Sequence, residues 1–450
     1  MFRRAGMLAV FALFAAGQLT AQQNRVDVVT PMAPELAAYG PLAAGVRAIT
    51  ATDRGRADVL STKEGGPVAR YDRTLTIEVW YPASLAPGQS PGGVYRTIAR
   101  DPARATELRG LAVRDAAAAT PPAGGYPLVI ISHGYPGNRH LLSHLAENLA
   151  SKGFVVAAPD HPDSTYADQK AFASTLYNRP LDQLFVLDEI DRLSRGGSGS
   201  FLAGLADVSR TAIVGYSMGG YGVLSALGAG FTDASVTAQN APPNRLLYER
   251  AASNPAFAKQ ADRRIKAAIA IAPYGGAAGA FAADGLRAVT TPLLFVCGSA
   301  DDIVGYETGV RALFLAATRS DRYLLTFLNG SHNVAAPIPA PAEAWAYSDA
   351  LKAFPFMHYE DGVWDSVRSN NILQHFATAF LAIHLRGETD KQAYLDLVPR
   401  GSEGKYFVER DGTPKPDYTY WKGLKARTAT GLVLEHLKPE QEAPAPAPSA

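Results

Sequence analysis

The sequence predicts an α/β protein with a mostly parallel central sheet and helices on both faces. Short apolar runs alternate along the chain with helical stretches, which is typical of strands joined by right-handed helical crossovers. The run Tyr126–Ser132 (YPLVIIS) is apolar almost throughout, as expected of a parallel strand that is covered on both faces. The chain has no internal repeat, so the alternation indicates one continuous sheet.

Each element is predicted from its own pattern. Residues 74–79 alternate between polar and apolar side chains and predict a half-buried strand. Leucines four residues apart between 141 and 149 predict a helix that ends before Gly153, and an apolar face over residues 370–386 predicts a last helix that ends before Gly387. The predicted strands are 74–79, 126–132, 154–158, 210–215, 267–272, 293–297 and 323–328, and the predicted helices are 141–149, 181–195, 220–227 and 370–386.

The composition of the 450 residues excludes some classes of protein. There are 43 Lys and Arg against 42 Asp and Glu, which argues against a protein that binds nucleic acid by neutralising phosphates. A hydrophobic content of 47% excludes disorder over most of the chain. The single cysteine, Cys297, cannot form an internal disulfide, and its apolar surroundings predict a buried strand residue.

The N-terminus predicts export from the cytoplasm. Residues 1–21 contain two arginines, a short apolar run and a small residue at the end, which is the pattern of a signal peptide. The alternative is an N-terminal membrane anchor. Removing residues 1–21 leaves 41 basic against 42 acidic residues, so the net charge changes from +1 to −1. No later stretch approaches 18 apolar residues, so we expect no stable membrane span and a periplasmic or secreted protein.

The mature chain is expected to form one catalytic domain. We predict an N-terminal extension at residues 22–45, the domain at 46–437 and a disordered Pro/Ala-rich tail at 438–450. Two long segments, at about 229–264 and 333–369, interrupt the alternation after predicted strands. They are either lid-like walls of a ligand crevice or padding of the scaffold.

The motif Gly215–Gly220 (GYSMGG) predicts a serine nucleophile. A G-x-S-x-G pattern between a strand and a helix forms a tight turn that exposes the Ser217 hydroxyl above the sheet. The alternative is a structural serine that caps the helix.

A serine nucleophile needs a base and an acid, which in this type of fold follow it in the order acid, then histidine. His332 stands just beyond the predicted strand 323–328. Asp301 and Asp302 follow the strand 293–297, and we select Asp301 because it lies three residues after Gly298 and three before Val304. Asp302 stays open as the alternative acid.

The segment His133–Gly137 (HGYPG) predicts the second half of an oxyanion hole. It follows the strand 126–132, and we expect the amides of Tyr135 and Met218 to bind the oxyanion. Pro136 has no N–H, and His133 is expected to order the loop because it precedes the nucleophile in the chain.

The sequence indicates no metal and no cofactor. His140 and His144 have the spacing of two zinc ligands on one helix, but Leu141 stands where a zincin carries Glu, and the pattern implies no third ligand. No dinucleotide- or phosphate-binding glycine motif is present. Asp160–Asp163 is expected to form a structural turn near the rim of the site.

Together these motifs resemble the α/β-hydrolase superfamily. Within it the chain resembles bacterial relatives of platelet-activating-factor acetylhydrolases and dienelactone-hydrolase-like serine esterases, and its elbow and oxyanion loop are similar to those of secreted cutinase-type hydrolases. Dienelactone hydrolases themselves carry a cysteine nucleophile, unlike Ser217. The residues that carry the resemblance, which covers about residues 46–390, are Trp80–Ala83, Ser132–Gly134, Leu149–Phe154, Asp160–Asp163, Gly215–Gly220, Asp301, Asp302 and His332.

The resemblance implies hydrolysis of a small-molecule or polymeric ester through an acyl-enzyme. We expect Tyr135, Tyr274 and the aromatic residues of 354–364 to form walls that favour apolar or aromatic groups. Two other functions stay open: cleavage of amides by a peptidase on the same scaffold, and a catalytically silent fold that serves as a binding protein.

Overall fold

The computed structural model describes residues 24–196, 199–258 and 261–441. The predicted signal peptide at residues 1–21 lies outside the described residues, as do residues 442–450 of the predicted tail. Over the described ranges, no helix is long and apolar enough to cross a bilayer. The predicted division into extension, domain and tail stays a prediction.

A large mixed sheet forms the centre of the molecule. Eleven strands belong to it, in the order β13-β12-β11-β10-β9-β7-β8-β2-β1-β5 with β6 paired to β2, and β3 and β4 form a separate hairpin. The strands are β1 (Ala43–Ala57), β2 (Arg70–Ser84), β3 (Gly93–Ile98), β4 (Ala105–Gly110), β5 (Val113–Arg114), β6 (Ala117–Ala118), β7 (Tyr126–Ser132), β8 (Val155–Pro159), β9 (Ala206–Tyr216), β10 (Ile265–Ile271), β11 (Leu293–Gly298), β12 (Arg322–Phe327) and β13 (Leu432–Leu437).

The middle of the sheet is parallel and its flanks are antiparallel. Strand β9 pairs in parallel with β7 and β10, and the parallel pairing continues to β8 on one side and to β11 and β12 on the other. Strands β1 and β2 and the edge strand β13 add antiparallel pairs. All residues of β7, β8, β11 and β12 are buried, in agreement with their apolar sequences. The predicted mostly parallel sheet is confirmed.

Two groups of helices cover the sheet. Helices α3 and α7 both pack on β9 and β10, with α2 beside α3 in one group and α1 beside α7 in the other. The helices are α1 (Ser143–Ser151), α2 (Phe172–Ser194), α3 (Met218–Ala226), α4 (Asp233–Val236), α5 (Ala283–Arg287), α6 (Ala312–Ala316) and α7 (Ser366–Arg386), with 3₁₀-helices at Glu35–Ala37, Pro243–Arg250, Ala342–Ala344, Pro355–His358, Thr389–Tyr394 and Gly401–Glu403 and a π-helix at Tyr306–Arg311.

The ends of helix α7 follow the predicted signals. Asp365 caps its N-terminus by accepting a hydrogen bond from the amide of Arg368 at 2.7 Å. Gly387 ends it in the left-handed conformation, with φ of 69°, where a residue with a Cβ is strained.

The carboxyl ends of the parallel strands meet at one edge of the sheet. Strand β7 ends beside β9, with Ser132 opposite Gly215, and β11 ends beside β12, with Gly298 opposite Phe327. Loops that leave these strands therefore converge at one place, which is where an open α/β sheet places its ligand crevice.

The two long segments are tied to the body of the molecule. In residues 229–264, Phe231 forms backbone bridges with Ala251 and Phe281. In residues 333–369, the amide of Ile338 donates to the carbonyl of Leu141 at 2.9 Å. Their role, whether lid or padding, stays a prediction.

Candidate active site

Ser217 lies at the sharp turn between β9 and α3. Its backbone has φ of 55° and ψ of −114°, an unfavourable conformation for a residue with a side chain. The flanking glycines allow the turn, because a Cβ on Gly215 would lie 2.3 Å from the backbone of Gly219, and a Cβ on Gly219 would lie 2.1 Å from the carbonyl oxygen of Ser132. The local sequence thus folds into the strained turn that its motif predicts.

The structure brings Ser217, His332 and Asp301 together in one hydrogen-bonded chain. The Nε2 atom of His332 lies 3.0 Å from the Oγ of Ser217, and its Nδ1 lies 3.0 Å and 3.2 Å from the two carboxylate oxygens of Asp301. An ionised carboxylate only accepts hydrogen bonds, so Nδ1 carries the proton and Nε2 is free to accept the serine hydroxyl. Ser217 is 8% exposed.

Asp301, rather than its neighbour Asp302, contacts the histidine. The Oδ1 atom of Asp301 also accepts the amides of Ile303 at 3.0 Å and Val304 at 2.9 Å. Burial opposes ionisation of Asp301, but the hydrogen bond and charge of His332 and these two amides outweigh it, so the pKa of the carboxyl is lowered. Asp302 is exposed to solvent.

The His332 loop is held by its neighbours. The ring of Tyr216 lies 5.2 Å from the imidazole of His332, and its hydroxyl donates to Asn333 at 3.0 Å. Asn333 in turn donates to the carbonyls of Met357 and Glu360 at 2.9 and 3.0 Å. The segment 333–369 is therefore fixed to the residue that follows the histidine.

The two predicted oxyanion donors, the amides of Tyr135 and Met218, have no hydrogen-bond acceptor among the described residues. Gly134 brings the loop against the serine, because a Cβ on it would lie 3.4 Å from the Cβ of Ser217. The amide of Met218 begins α3, whose N-terminal dipole favours negative charge. The arrangement can therefore accept an anionic oxygen beside the Ser217 hydroxyl.

Two buried histidines, His133 and His161, order the loop His133–Gly137. The Nδ1 atom of His133 lies 2.7 Å from the carbonyl oxygen of Gly134, and its Nε2 accepts the amide of His161 at 3.2 Å. Burial, together with the charge of Arg179, lowers the pKa of His133 well below its usual value, so the ring is neutral. His161 lies in the predicted turn Asp160–Asp163, but it is buried behind the loop and not at the rim.

Sequence reasoning missed three polar side chains of α2. Arg179 donates to the carbonyls of His133 and Gly134, and Gln183 donates to the carbonyl of Gly219 at 2.9 Å. Asp182 accepts hydrogen bonds from His161 and from two arginines of distant strands. No local motif marks these residues.

The predicted aromatic walls are only partly brought to the site. The rings of Tyr135, Phe172 and Tyr274 form a row with centroid distances of 5.3 and 5.5 Å, and the amide of Tyr274 donates to the carbonyl of Ser217 at 3.1 Å. Phe172 was not predicted. Trp364, in contrast, packs on the ring of Phe327 and donates to the carbonyl of Leu328, so it supports the fold.

His140 and His144, which have the spacing of metal ligands, contact different partners. His140 packs against the rings of Trp80 and Tyr95, whereas the Nε2 of His144 lies 2.9 Å from the carbonyl oxygen of Ala336. In the ranges that the structure describes, no group of three or more His, Cys, Asp or Glu residues could hold a metal ion. Cys297 is buried in β11 as predicted, and burial raises the pKa of its thiol.

The chain is similar to several known proteins. A family model described as platelet-activating factor acetylhydrolase, isoform II, matches residues 103–183. Cutinase est1 and cutinase est2 of Thermobifida alba are each 34% identical over 99 residues, which is 22% of this chain and only 29% of each cutinase. A ferulic acid esterase structure from Streptomyces cinnamoneus matches with a TM-score of 0.53 and 22% identity, over 79% of this chain and 94% of that chain.

The chain has the α/β-hydrolase fold. The predicted fold class is confirmed, and so is the resemblance to platelet-activating-factor acetylhydrolases and cutinase-type hydrolases. The residues that match the family model, 103–183, include Tyr135 and Arg179 but end before Ser217. The roles of Ser217, Asp301 and His332 therefore rest on geometry.

Proposed function

We propose that this protein is an exported serine hydrolase that cleaves carboxylic esters through an acyl-enzyme. The observation that carries the proposal is the hydrogen-bonded chain Ser217–His332–Asp301 beside the amides of Tyr135 and Met218. A serine hydroxyl alone is a weak nucleophile, and this arrangement supplies the base, the orienting acid and the anion donors that it lacks.

In acylation, the Oγ of Ser217 attacks the ester carbonyl carbon while the Nε2 of His332 takes its proton. The carbonyl oxygen becomes an oxyanion, which the amides of Tyr135 and Met218 bind. Asp301 keeps the proton of His332 on Nδ1 and stabilises the imidazolium. When the tetrahedral intermediate collapses, the C–O bond to the alcohol breaks and His332 returns the proton to the leaving alcohol.

In deacylation, water replaces the alcohol. His332 takes a proton from the water as its oxygen attacks the acyl carbon, and the same amides bind the second oxyanion. Collapse breaks the bond to the Oγ of Ser217, which recovers its proton from His332, and the carboxylic acid leaves.

The known proteins support ester substrates by their names: two cutinases, a ferulic acid esterase and a family of acetylhydrolases. The aromatic row Tyr135–Phe172–Tyr274 beside Ser217 favours an ester with an apolar or aromatic group, either a small molecule or a polymer. We propose no nucleic-acid partner, because the charge of the chain is balanced.

Labelling by a fluorescent alkyl organophosphonate tests the nucleophile. We expect the wild-type protein to be labelled and Ser217→Ala not to be, with Ser209→Ala as the control because its hydroxyl is exposed and bonds only nearby groups. Labelling that persists in Ser217→Ala would overturn the assignment. An unlabelled, correctly folded wild type would favour the silent binding protein.

Rates on a matched ester and anilide separate esterase from peptidase. The two substrates share the acyl group and differ in the leaving group, and we expect kcat/KM to be far higher for the ester. A higher value for the anilide would favour the peptidase.

Export is tested by the N-terminal sequence of the protein in the native host. We expect the protein to start near residue 22 and to lie outside the cytoplasm, and an uncleaved cytosolic protein would contradict export.

A further inference from the structure

The peptide unit between Gly134 and Tyr135 carries one of the two proposed oxyanion donors. In a trans peptide the C=O and N–H groups point in opposite directions. Whatever holds the carbonyl of Gly134 therefore sets the direction of the Tyr135 amide. Two donors reach this oxygen: the Nδ1 of His133 at 2.7 Å and the Nη2 of Arg179 at 3.4 Å.

Arg179 also holds the next carbonyl in the loop. Its Nη1 donates to the carbonyl of His133, and its Nη2 donates to the hydroxyl of Ser164 at 2.7 Å. The planar guanidinium presents its donors as a rigid fork, so two adjacent carbonyls bound to one fork are fixed relative to each other. Arg179 thereby ties the backbone of the loop His133–Gly137, named the oxyanion loop, to helix α2.

The position of this cation is unusual. Arg179 is 1% exposed, and among the described residues it has no carboxylate within ion-pair distance. Burial lowers the pKa of Arg179 to about 9, so the side chain stays cationic at neutral pH. The charge of Asp182 favours the cation from beyond ion-pair distance, and the hydrogen bonds that a buried charge needs go to the loop His133–Gly137 and to Ser164.

The same helix holds the other side of the proposed oxyanion hole. One turn beyond Arg179, the Nε2 of Gln183 donates to the carbonyl of Gly219, two residues after Ser217. Gly219 lies in the first turn of α3, directly after Met218, whereas Gly134 directly precedes Tyr135. Side chains of α2 therefore contact the backbone next to both proposed donors.

We propose that Arg179 is a positioning residue that aims the Tyr135 amide at the oxyanion. The proposal rests on the proposed function, because it assumes that an oxyanion forms at Ser217. Removing a well-placed oxyanion donor reduces kcat by about 10²–10³-fold, so a misaimed one is expected to reduce it by about 10²-fold.

The test compares Arg179→Met with Asn178→Ala. Asn178 is its buried neighbour on α2, and its hydrogen bonds go to Ser174 and Arg56, away from the two carbonyls that Arg179 binds. We expect Arg179→Met to lose about 10²-fold in kcat with little change in KM, and Asn178→Ala to keep kcat within a few-fold. Thermal unfolding of both variants provides the matched measure of stability.

A purely structural role would not change oxyanion affinity in the folded protein. An alkyl trifluoromethyl ketone forms a hemiketal with a serine nucleophile, and its oxygen is the analogue of the oxyanion. We expect Arg179→Met to bind this ketone about 10²-fold more weakly and to raise the pKa of the ¹³C-labelled hemiketal. Wild-type affinity in this variant, or equal losses in Asn178→Ala, would overturn the proposal.

Arg179→Lys decides the matter if the Met variant does not fold. A lysine keeps the charge but has no fork for two carbonyls, so we expect ketone affinity about 10-fold below wild type. Affinity equal to wild type would overturn the proposal. A wild-type protein that forms no hemiketal would instead contradict the proposed function itself.

Discussion

The molecule contains two hydrogen-bonded Ser–His–Asp chains of nearly equal geometry. In the candidate site, His332 lies 3.0 Å from the Oγ of Ser217 and 3.0 Å from Asp301. Behind the oxyanion loop, His161 lies 2.9 Å from the Oγ of Ser132 and 3.0 Å from Asp182. Residue types and distances alone do not distinguish the two chains.

Their surroundings do distinguish them. Ser132 is fully buried in the regular strand β7, whereas Ser217 is 8% exposed on a strained turn, beside two amides that have no hydrogen-bond acceptor in the part of the chain that the structure describes. Burial, followed by the charge of Arg179, lowers the pKa of His161 to about 3, so this histidine cannot take a proton at neutral pH. Access to solvent, backbone geometry and neighbouring anion donors thus make Ser217 a candidate nucleophile. The buried hydrogen-bonded chain Ser132–His161–Asp182 is interpreted as a structural element and is named the brace.

The largest expected difference is between the two serines. Ser217→Ala removes the nucleophile and is expected to lower kcat by about 10⁵-fold on an ester substrate, whereas Ser132→Ala is expected to lose less than about 10-fold. Steady-state rates on a nitrophenyl ester measure both. Comparable losses from the two substitutions would remove the distinction between the chains.

The next effect concerns the acid of the candidate site. Asp301→Asn leaves the geometry in place but favours the wrong tautomer of His332, and we expect kcat to fall by about 10⁴-fold. Asp302→Asn is the matched control, because its side chain is exposed and does not bond the histidine. An inactive Asp302→Asn beside an active Asp301→Asn would show that the acid is misassigned.

The acid of the buried chain is expected to affect stability instead. Asp182 accepts two hydrogen bonds from Arg73 at 2.8 Å and one from Arg56 at 3.1 Å. Asp182→Asn removes the carboxylate that these two buried arginines share and leaves Arg73 with Asp163 and Arg56 with Asp53, so we expect the free energy of unfolding to fall by about 3 kcal/mol in urea titrations. Asp188→Asn, which removes an exposed partner of Arg264, should change it by less than about 1 kcal/mol. Equal changes in the free energy of unfolding for the two variants would contradict the structural role of the brace.

The smallest effect, counted per pH unit, is on the pH dependence of stability. An unfolded histidine has a pKa of about 6.5, so between about pH 6.5 and pH 3 the unfolded chain binds a proton that the folded His161 does not. Stability therefore falls as the pH falls through this window. We expect His161→Asn to reduce the slope by about 1.4 kcal/mol per pH unit, measured by urea unfolding at several pH values. An unchanged slope would mean that His161 takes up its proton in the folded state.

The candidate site was predictable because its signals are local. Ser217, Asp301 and His332 each follow a parallel strand that contains a buried apolar run, and the glycines around Ser217 stand next to it in the sequence. The parallel part of the sheet was predictable for the same reason. These residues needed no knowledge of distant contacts.

The buried brace was not predictable because its contacts are distant in sequence. Asp182 bonds Arg73 across 109 residues, and nothing in the local sequence marks either residue. Helix α2 was expected to begin at residue 181, but it begins at Phe172 and continues through Pro180, because Ser174–Arg179 are buried and their packing outweighs the effect of the proline. Strands β1 and β13 were missed because antiparallel flanking strands carry polar residues on one face.

The most direct test of the central claim is the mass of the acyl-enzyme. When the protein is mixed with a nitrophenyl ester and quenched during the first turnovers, we predict a burst of nitrophenol and a stoichiometric acyl adduct on the peptide that contains Ser217. Ser217→Ala should show neither, while Ser132→Ala should show both. An adduct on another residue would contradict the account. Turnover by Ser217→Ala at the wild-type rate would contradict it as well.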